Sequence, residues 1–152
     1  MVTLRRAVST DEPALLRLTT RLGDFPVPPW RTASEIATAD HPILVACLRS
    51  PTTDSALFVA EELGRLLGFV FVVVRTDYFT HERYAYVEDL ALAVEGEGRG
   101  LARQLMEAAE GWARSHGLRR LGLSVWFQNV RARGLYERLG YQPETMQYLK
   151  TL

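Results

Sequence analysis

The 152-residue chain carries 18 basic and 18 acidic side chains, a formal net charge of zero, and 47% hydrophobic residues. At this length a fold buries roughly 68–70% of the surface its unfolded chain exposes, enough for one sizeable core without disulfides or a structural metal, and the single cysteine, Cys47, has no partner in any case. Neutrality argues against bulk binding to nucleic acid or an anionic membrane, no apolar run is long enough to span a bilayer, and Met1-Val-Thr-Leu-Arg-Arg lacks the apolar stretch of a secretion signal, so the expectation is a cytoplasmic protein. Within the zero total, 17 of the 18 basic residues are Arg, Lys150 is the only Lys and Asn129 the only Asn, a bias that a G+C-rich genome explains.

Val2 to Val8 alternates as a short strand. Ser9-Thr10-Asp11-Glu12-Pro13 then combines capping side chains, first-turn acids and a first-turn proline ahead of an apolar stripe at Ala14, Leu15, Leu18 and Leu22, so a helix is expected, ended by Gly23. Asp24 to Trp30 contains three prolines and forms an aromatic loop. Thr32-Ala-Ser-Glu35 has capping-box spacing and opens a second helix that Pro42 kinks or divides before Arg49. Ser55 to Glu61 and Leu66 to Arg75 flank a turn at 62–65 and predict a hairpin. Tyr84 to Val94 is a further strand, and Gly96-Glu97-Gly98-Arg99-Gly100 follows it directly. Leu101, Leu105, Ala108, Ala109 and Trp112 mark one face of a helix reaching His116-Gly117. Leu118 to Phe127 is expected as a strand, Asn129 to Leu139 as a short helix stopped at Gly140, and Thr145 to Leu152 as a last strand. With no repeat, linker or low-complexity tract, residues 1–152 read as one α/β domain built on a mixed sheet.

A strand, a glycine turn and a long helix in succession suit an anion, because glycines admit backbone N–H groups and the helix N-terminus adds partial positive charge. A simple connecting turn is the competing reading. The dinucleotide fingerprint fails from either start, since Leu101 and Arg103 stand where its last glycine belongs, and no Gly-Lys-Ser/Thr follows to make a P-loop.

A second block decides between them. Asn129-x-x-Ala132-x-x-x-Tyr136-x-x-x-Gly140-Tyr141, together with Asp89-Leu90-x-Leu92 and Gly98-Arg99-Gly100-Leu101-Ala102, resembles the GNAT superfamily of N-acetyltransferases. The resemblance implies a mixed, mostly antiparallel sheet of about six to seven strands flanked by about four helices, with strands splayed at a cofactor groove. It implies acetyl-CoA as cosubstrate and no metal. The backbone of Gly98, Arg99, Gly100, Leu101, Ala102 and Arg103 would hold the pyrophosphate, Leu90, Ala91 and Leu92 would pair with the pantetheine amides, and Asn129 and Ala132 would meet the pantetheine arm. Tyr136 would stand near the sulfur. One position departs from the family pattern: Glu97 occupies the place of an Arg or Gln, and because the cradle uses backbone N–H groups, binding is expected to survive in weakened form, with Glu97 turned to solvent and Arg99 and Arg103 supplying charge.

Acetyl transfer to an amine needs a base for the ammonium, a stabilised carbonyl oxygen and a proton for the leaving thiolate. Tyr136 is the expected acid, against the alternative of an aromatic packing residue. Glu88 is the expected base, with Asp89 or water as alternatives. On a regular strand Glu88 shares a face with Tyr84, Tyr86, Leu90 and Leu92, and Asp89 with Ala85, Val87 and Ala91. Asn129 serves either the cofactor or its own helix as an N-cap. Cys47 and Trp112 read as packing residues, the three histidines are too scattered for a metal, and Arg119-Arg120 lies on the surface or reaches the adenosine phosphate.

For the acceptor, Asp24, Phe25, Trp30, Tyr84, Tyr86 and Trp126, with the loop from Tyr78 to Glu82, offer aromatic and acidic groups that suit a cationic amine. The leading expectation is a small polyamine- or aminoglycoside-like substrate. The alternatives are a protein N-terminus or lysine, and an acyl-CoA-binding module without turnover. Edge strands and the segment 145–152 offer a surface for a homodimer.

Overall fold

A computed structural model describes residues 1–152. Five strands lie in the order β1-β2-β3-β4-β5: β1 (Thr3–Arg6), β2 (Ser55–Glu62), β3 (Arg65–Thr76), β4 (Arg83–Leu92) and β5 (Leu121–Leu123). The first four pair antiparallel, and β5 alone runs parallel to β4. The helices are α1 (Glu12–Leu18), α2 (Ala33–Thr38), α3 (His41–Arg49), α4 (Leu101–Ser115) and α5 (Val130–Arg138). The helix expected from Thr32 is divided before Pro42 into α2 and α3, and the Thr32 hydroxyl caps it by accepting from the Glu35 N–H at 3.1 Å. The first helix is lengthened at both ends by 3-10 turns and stops at Gly23, where a Cβ would lie 2.4 Å from the Ala33 carbonyl oxygen.

The sheet divides the interior into two cores. On one side α4 presents Leu101, Leu105, Met106, Ala109 and Trp112 to Val70, Val72, Ala85 and Val87. On the other, Leu15 and Leu18 of α1 and Leu44 and Leu48 of α3 cover Val59, Phe69, Phe71 and Ala91. Each fully buried Leu or Phe contributes on the order of 1.5–3 kcal/mol, so both helix layers are fastened to the same two central strands.

Two irregularities of β4 position the site. Val72 pairs with Val87 and Phe71 with Asp89, so Glu88 is an extra residue, a β-bulge. The bulge reverses the alternation: Ala85 and Val87 pack under α4, whereas Ala91 packs toward α1 and α3, and Leu90 and Leu92 turn to the α4 side. The face assignment expected of a regular strand is therefore corrected. Asp89 and Ala91 do not continue the row of Ala85 and Val87. Second, β5 pairs with β4 only from Ala85 to Val87, so beyond Glu88 the two strands part and one edge of Leu90–Leu92 is left unpaired.

The remaining corrections concern the C-terminal third. The strand expected over Leu118 to Phe127 shrinks to three residues because β4 turns away from it after Val87. No strand forms at 145–152, where Met146, Tyr148, Leu149 and Leu152 are exposed. The sheet thus has five strands instead of six or seven. No helix is long and apolar enough to cross a membrane.

Candidate active site

The gap between β4 and the chain after β5 opens into a cavity of about 420 Å³. Its wall takes Leu90, Ala91 and Leu92 from β4, Gly98 and Gly100 from the turn, Leu101, Ala102 and Arg103 from the first turn of α4, and Asn129, Ala132 and Tyr136 from α5. Eleven of the residues expected at a cofactor groove therefore come together around one space. The turn is built for its position: Gly98 and Gly100 adopt φ of 70° and 74°, a left-handed backbone that side-chain-bearing residues rarely take, and Gly100 is the N-cap of α4. The N–H groups of the first turn of α4 have no partners within the helix and remain for a ligand.

Arg99 is the exception. Its guanidinium makes two hydrogen bonds with Glu62 at the end of β2, at 2.9 and 3.0 Å, and it does not line the cavity. Glu97 does not point freely to solvent either. One of its carboxylate oxygens, Oε1, pairs with Arg21 from the turn after α1 and, at 3.0 Å, with Arg131 from α5. These cations hold its carboxyl below the usual carboxylate range, Arg131 most of all. Arg21 and Arg131 both line the cavity, and sequence reasoning missed them because 76 and 34 residues of chain separate them from Glu97.

Asn129 uses Oδ1 to accept from the Ala132 N–H at 3.2 Å, so it is the N-cap of α5, and its amide N–H groups are what it can offer a ligand. Both sequence-level readings of this residue are thus compatible. Tyr136 packs edge-on to Tyr141, with ring centroids 6.1 Å apart. Burial, with a smaller contribution from Asp89, pushes its phenol up to about 12.

The two β4 carboxylates are in opposite circumstances. Glu88 Oε1 accepts from Arg75 Nε at 3.2 Å and Nη2 at 2.7 Å, and that guanidinium stacks on Tyr86 at 3.5 Å. Asp89 is only 7% exposed, and its Oδ2 is buried without a hydrogen-bond partner. Burial, then the charge and hydrogen bond of Asp40 at the start of α3, and then Glu88, raise its carboxyl to about 8. Asp40 was not identified from the sequence, because only the folded chain brings the α2–α3 junction onto β4.

Among the residues expected to meet an acceptor, Phe25 and Trp126 lie 6.2 Å apart, Arg31 stacks over Trp126 at 5.9 Å, and Tyr84 and Tyr86 pack edge to face at 6.3 Å. Asp24 lines the cavity mouth and pairs with Arg21. Trp30 is half-exposed. The loop from Tyr78 to Glu82 lies at the far end of β4, about 30 Å from Leu92 at the usual strand rise, and Arg120 pairs with its Asp77 and Glu82 instead of approaching the groove. Cys47 Sγ lies 3.7 Å from Ser55 Oγ, and Trp112 belongs to the core under α4. No cluster of three or more His, Cys, Asp or Glu side chains has the spacing of a metal site.

Comparison with known proteins agrees with this geometry. The Acetyltransferase (GNAT) family matches residues 16–141. An uncharacterized N-acetyltransferase of Bacillus subtilis, YhfO, is 28% identical over 142 residues, covering 93% of this chain and 91% of the relative. An aminoglycoside N(6')-acetyltransferase type 1 of Stenotrophomonas maltophilia is 26% identical over 144 residues, covering 92% and 86%. Among solved structures, the aminoglycoside N-acetyltransferase AAC(6')-Iy in complex with CoA superimposes with a TM-score of 0.75 at 19% identity, over 99% of this chain and 95% of that one. With the family matched over most of its length and the groove, glycine turn and α5 tyrosine in place, the chain belongs to the GNAT family of acetyl-CoA-using acyltransferases.

Proposed function

We propose that residues 1–152 act as one catalytic unit that transfers an acetyl group from acetyl-CoA to a primary amine of a small cationic acceptor, with Tyr136 as general acid and Asp89 as general base. The observation that carries this reading is the buried Asp89 carboxylate with an unpartnered oxygen, set directly before the cavity-lining Leu90 where β4 leaves β5, with its charge felt by the Tyr136 phenol that lines the same cavity. The residues fit acetyl-CoA: an unpaired strand edge for the amides of pantetheine, left-handed glycines and unpaired helix N–H groups for a pyrophosphate. Bound there, acetyl-CoA supplies a thioester carbonyl activated for acyl transfer.

Asp89 takes a proton from the ammonium group, and the neutral amine then attacks. Its raised affinity for protons suits this, since a base near pH 8 is strong enough to deprotonate and is still partly ionised at neutral pH. Glu88, the base expected from the sequence, is instead engaged by Arg75 through two hydrogen bonds to one oxygen. Tyr136 holds its proton throughout the physiological range; it would give that proton to the leaving sulfur and recover one from the attacking nitrogen as the amide forms. The backbone N–H of Leu92 is the candidate donor to the carbonyl oxygen. Phe25, Trp126, Tyr86 and Asp24 favour an amine with aromatic-facing and acid-facing sides, as a polyamine or aminoglycoside has.

The direct test follows CoA release with a thiol reagent over a panel of polyamines, aminoglycosides and peptides. Turnover with small amines supports the proposal. Turnover confined to peptides moves the acceptor to protein N-termini or lysines, and acetyl-CoA binding with no turnover on any acceptor overturns catalysis in favour of an acyl-CoA-binding module.

A further inference from the structure

The Glu97 carboxylate is the one acidic group at the glycine turn that lines the cavity, and it stands between two cations. Arg21 Nη2 and Arg131 Nη1 both reach the same oxygen, Oε1, the first from the turn after α1 and the second from α5. A single anionic oxygen bridging two guanidiniums is the arrangement that a phosphate oxygen makes with arginines. Here the protein's own carboxylate fills that place, next to the first turn of α4.

The two arginines differ in how they are held. Arg21 is well anchored without Glu97: its Nε donates to the Leu92 carbonyl at 3.0 Å and its Nη1 pairs with Asp24, and its side chain is only 23% exposed. Arg131 is 72% exposed, and Glu97 is its ion-pair partner. Removing the Glu97 charge therefore leaves Arg21 in position and frees Arg131, without unfolding anything.

We propose that Glu97 is an internal placeholder for the diphosphate of the cofactor: acetyl-CoA displaces it and takes over Arg21 and Arg131, which are thus cofactor-binding residues supplied by the α1 turn and α5. This rests on the groove being an acetyl-CoA site. It also resolves the departure from the family pattern at position 97. Donor groups that a single Arg or Gln side chain would bring to the turn come here from two arginines on distant elements, while the charge of Arg99 is taken up by Glu62. The carboxylate sets a cost on binding, because a like charge beside the phosphates must move aside.

Titration calorimetry with CoA and with 3'-dephospho-CoA, on the whole chain, tests this. Loss of one charged hydrogen-bonding partner at an exposed position predicts that Arg131→Gln weakens binding about five- to tenfold, equally for both ligands because both carry the diphosphate. Arg21→Lys, which keeps the charge but not the two-sided fork, weakens both about threefold to tenfold. Glu97→Gln acts in the opposite direction and tightens both about threefold or more. Unchanged CoA affinity in Arg131→Gln overturns the proposal, as does weaker binding in Glu97→Gln. An Arg131→Gln effect seen with CoA and lost with 3'-dephospho-CoA overturns it too, by assigning Arg131 to the 3'-phosphate. If the unmodified protein binds neither ligand, the acetyl-CoA reading of the groove itself falls, whereas binding by the unmodified protein with indifferent variants removes only the placeholder.

Discussion

Asp11 and Asp89 are buried to almost the same depth, 8% and 7% exposed. At the corner where β1 meets α1, Asp11 accepts from Arg5 Nη1 at 2.8 Å, from Arg5 Nη2 at 2.9 Å and from the Val8 N–H at 2.8 Å. Those bonds hold its carboxyl below the usual range. At the β4 bulge, Asp89 has an orphaned oxygen, an acidic neighbour in Asp40 and a carboxyl raised to about 8. Burial is common to both, so burial alone decides nothing. What separates a structural carboxylate from a reactive one is whether the fold supplies donors: satisfied, it fastens the chain, and unsatisfied, it stores free energy that chemistry can use.

The same substitution at the two sites should therefore give opposite results, and the largest effect is expected at Asp89. Asp89→Asn removes the titrating proton but keeps a donor for Asp40, and loss of a general base should lower kcat by about a hundredfold or more with CoA affinity unchanged. The wild-type kcat/KM should rise with pH up to about 8 as Asp89 ionises, and that limb should vanish in the variant with the same acceptor. Stability should move the other way. A carboxyl whose folded pKa lies above its unfolded value binds more protons when folded, so its ionisation destabilises the protein progressively from about pH 4 to pH 8. Asp89→Asn should raise Tm by about 5 °C at pH 8 and by less at pH 5. Full activity in the variant would return the base role to another group.

Asp11→Asn should do the reverse, costing about 2–4 kcal/mol at pH 7 through loss of a buried, doubly bonded partner of Arg5 and leaving acetyl transfer per folded molecule unchanged. The sign with pH is fixed by the depressed carboxyl: its stabilisation is complete above the unfolded value near 3.8 and is lost as pH falls through the folded value. Denaturant curves of wild type and variant should accordingly converge in acid. A constant gap down to pH 2 would show that packing, not the ion pair, is what Asp11 provides.

Tyr136→Phe comes next in size, with turnover lowered about ten- to a hundredfold and CoA affinity within twofold, because the acid role proposed for the phenol operates only as the thiolate leaves. A loss of affinity to match the loss of turnover would make Tyr136 a packing residue of the groove.

Much of this site was legible in the sequence because its parts are local. The strand up to Leu92, the glycines at 98 and 100, the apolar face of α4 and the cap at Asn129 each occupy a few consecutive residues with a period or a conformational demand of their own. What escaped is non-local. Arg21, Arg131 and Asp40 join the site only through tertiary placement, and Arg99, correct by motif, is drawn off by Glu62 across the β2–β3 hairpin. The bulge at Glu88 also leaves no mark in a period-2 pattern, since inserting one residue exchanges the faces without altering composition. The strand expected at 145–152 has adequate propensity but pairs with no edge of the sheet, and propensity alone does not make a strand.

The bulge also fixes the smallest expected effect, at Glu88. By sequence this carboxylate is the better base, standing directly before Asp-Leu on the strand that lines the candidate groove. The bulge instead brings it to Arg75, which donates two hydrogen bonds to one of its oxygens while its own face rests on Tyr86. A carboxylate held by a guanidinium is not free to turn to an acceptor, and an ion pair this close to solvent contributes little to stability. Glu88→Gln should therefore change kcat/KM by no more than about threefold, since the amide oxygen can still accept from Arg75, and should leave the pH limb near 8 in place. Arg75→Ala, by releasing Glu88 and the face of Tyr86, should affect acceptor KM more than kcat. A hundredfold loss of kcat in Glu88→Gln, with the limb abolished, would reverse the assignment, making Asp89 the residue that merely crowds the bulge and Glu88 the group that takes the proton.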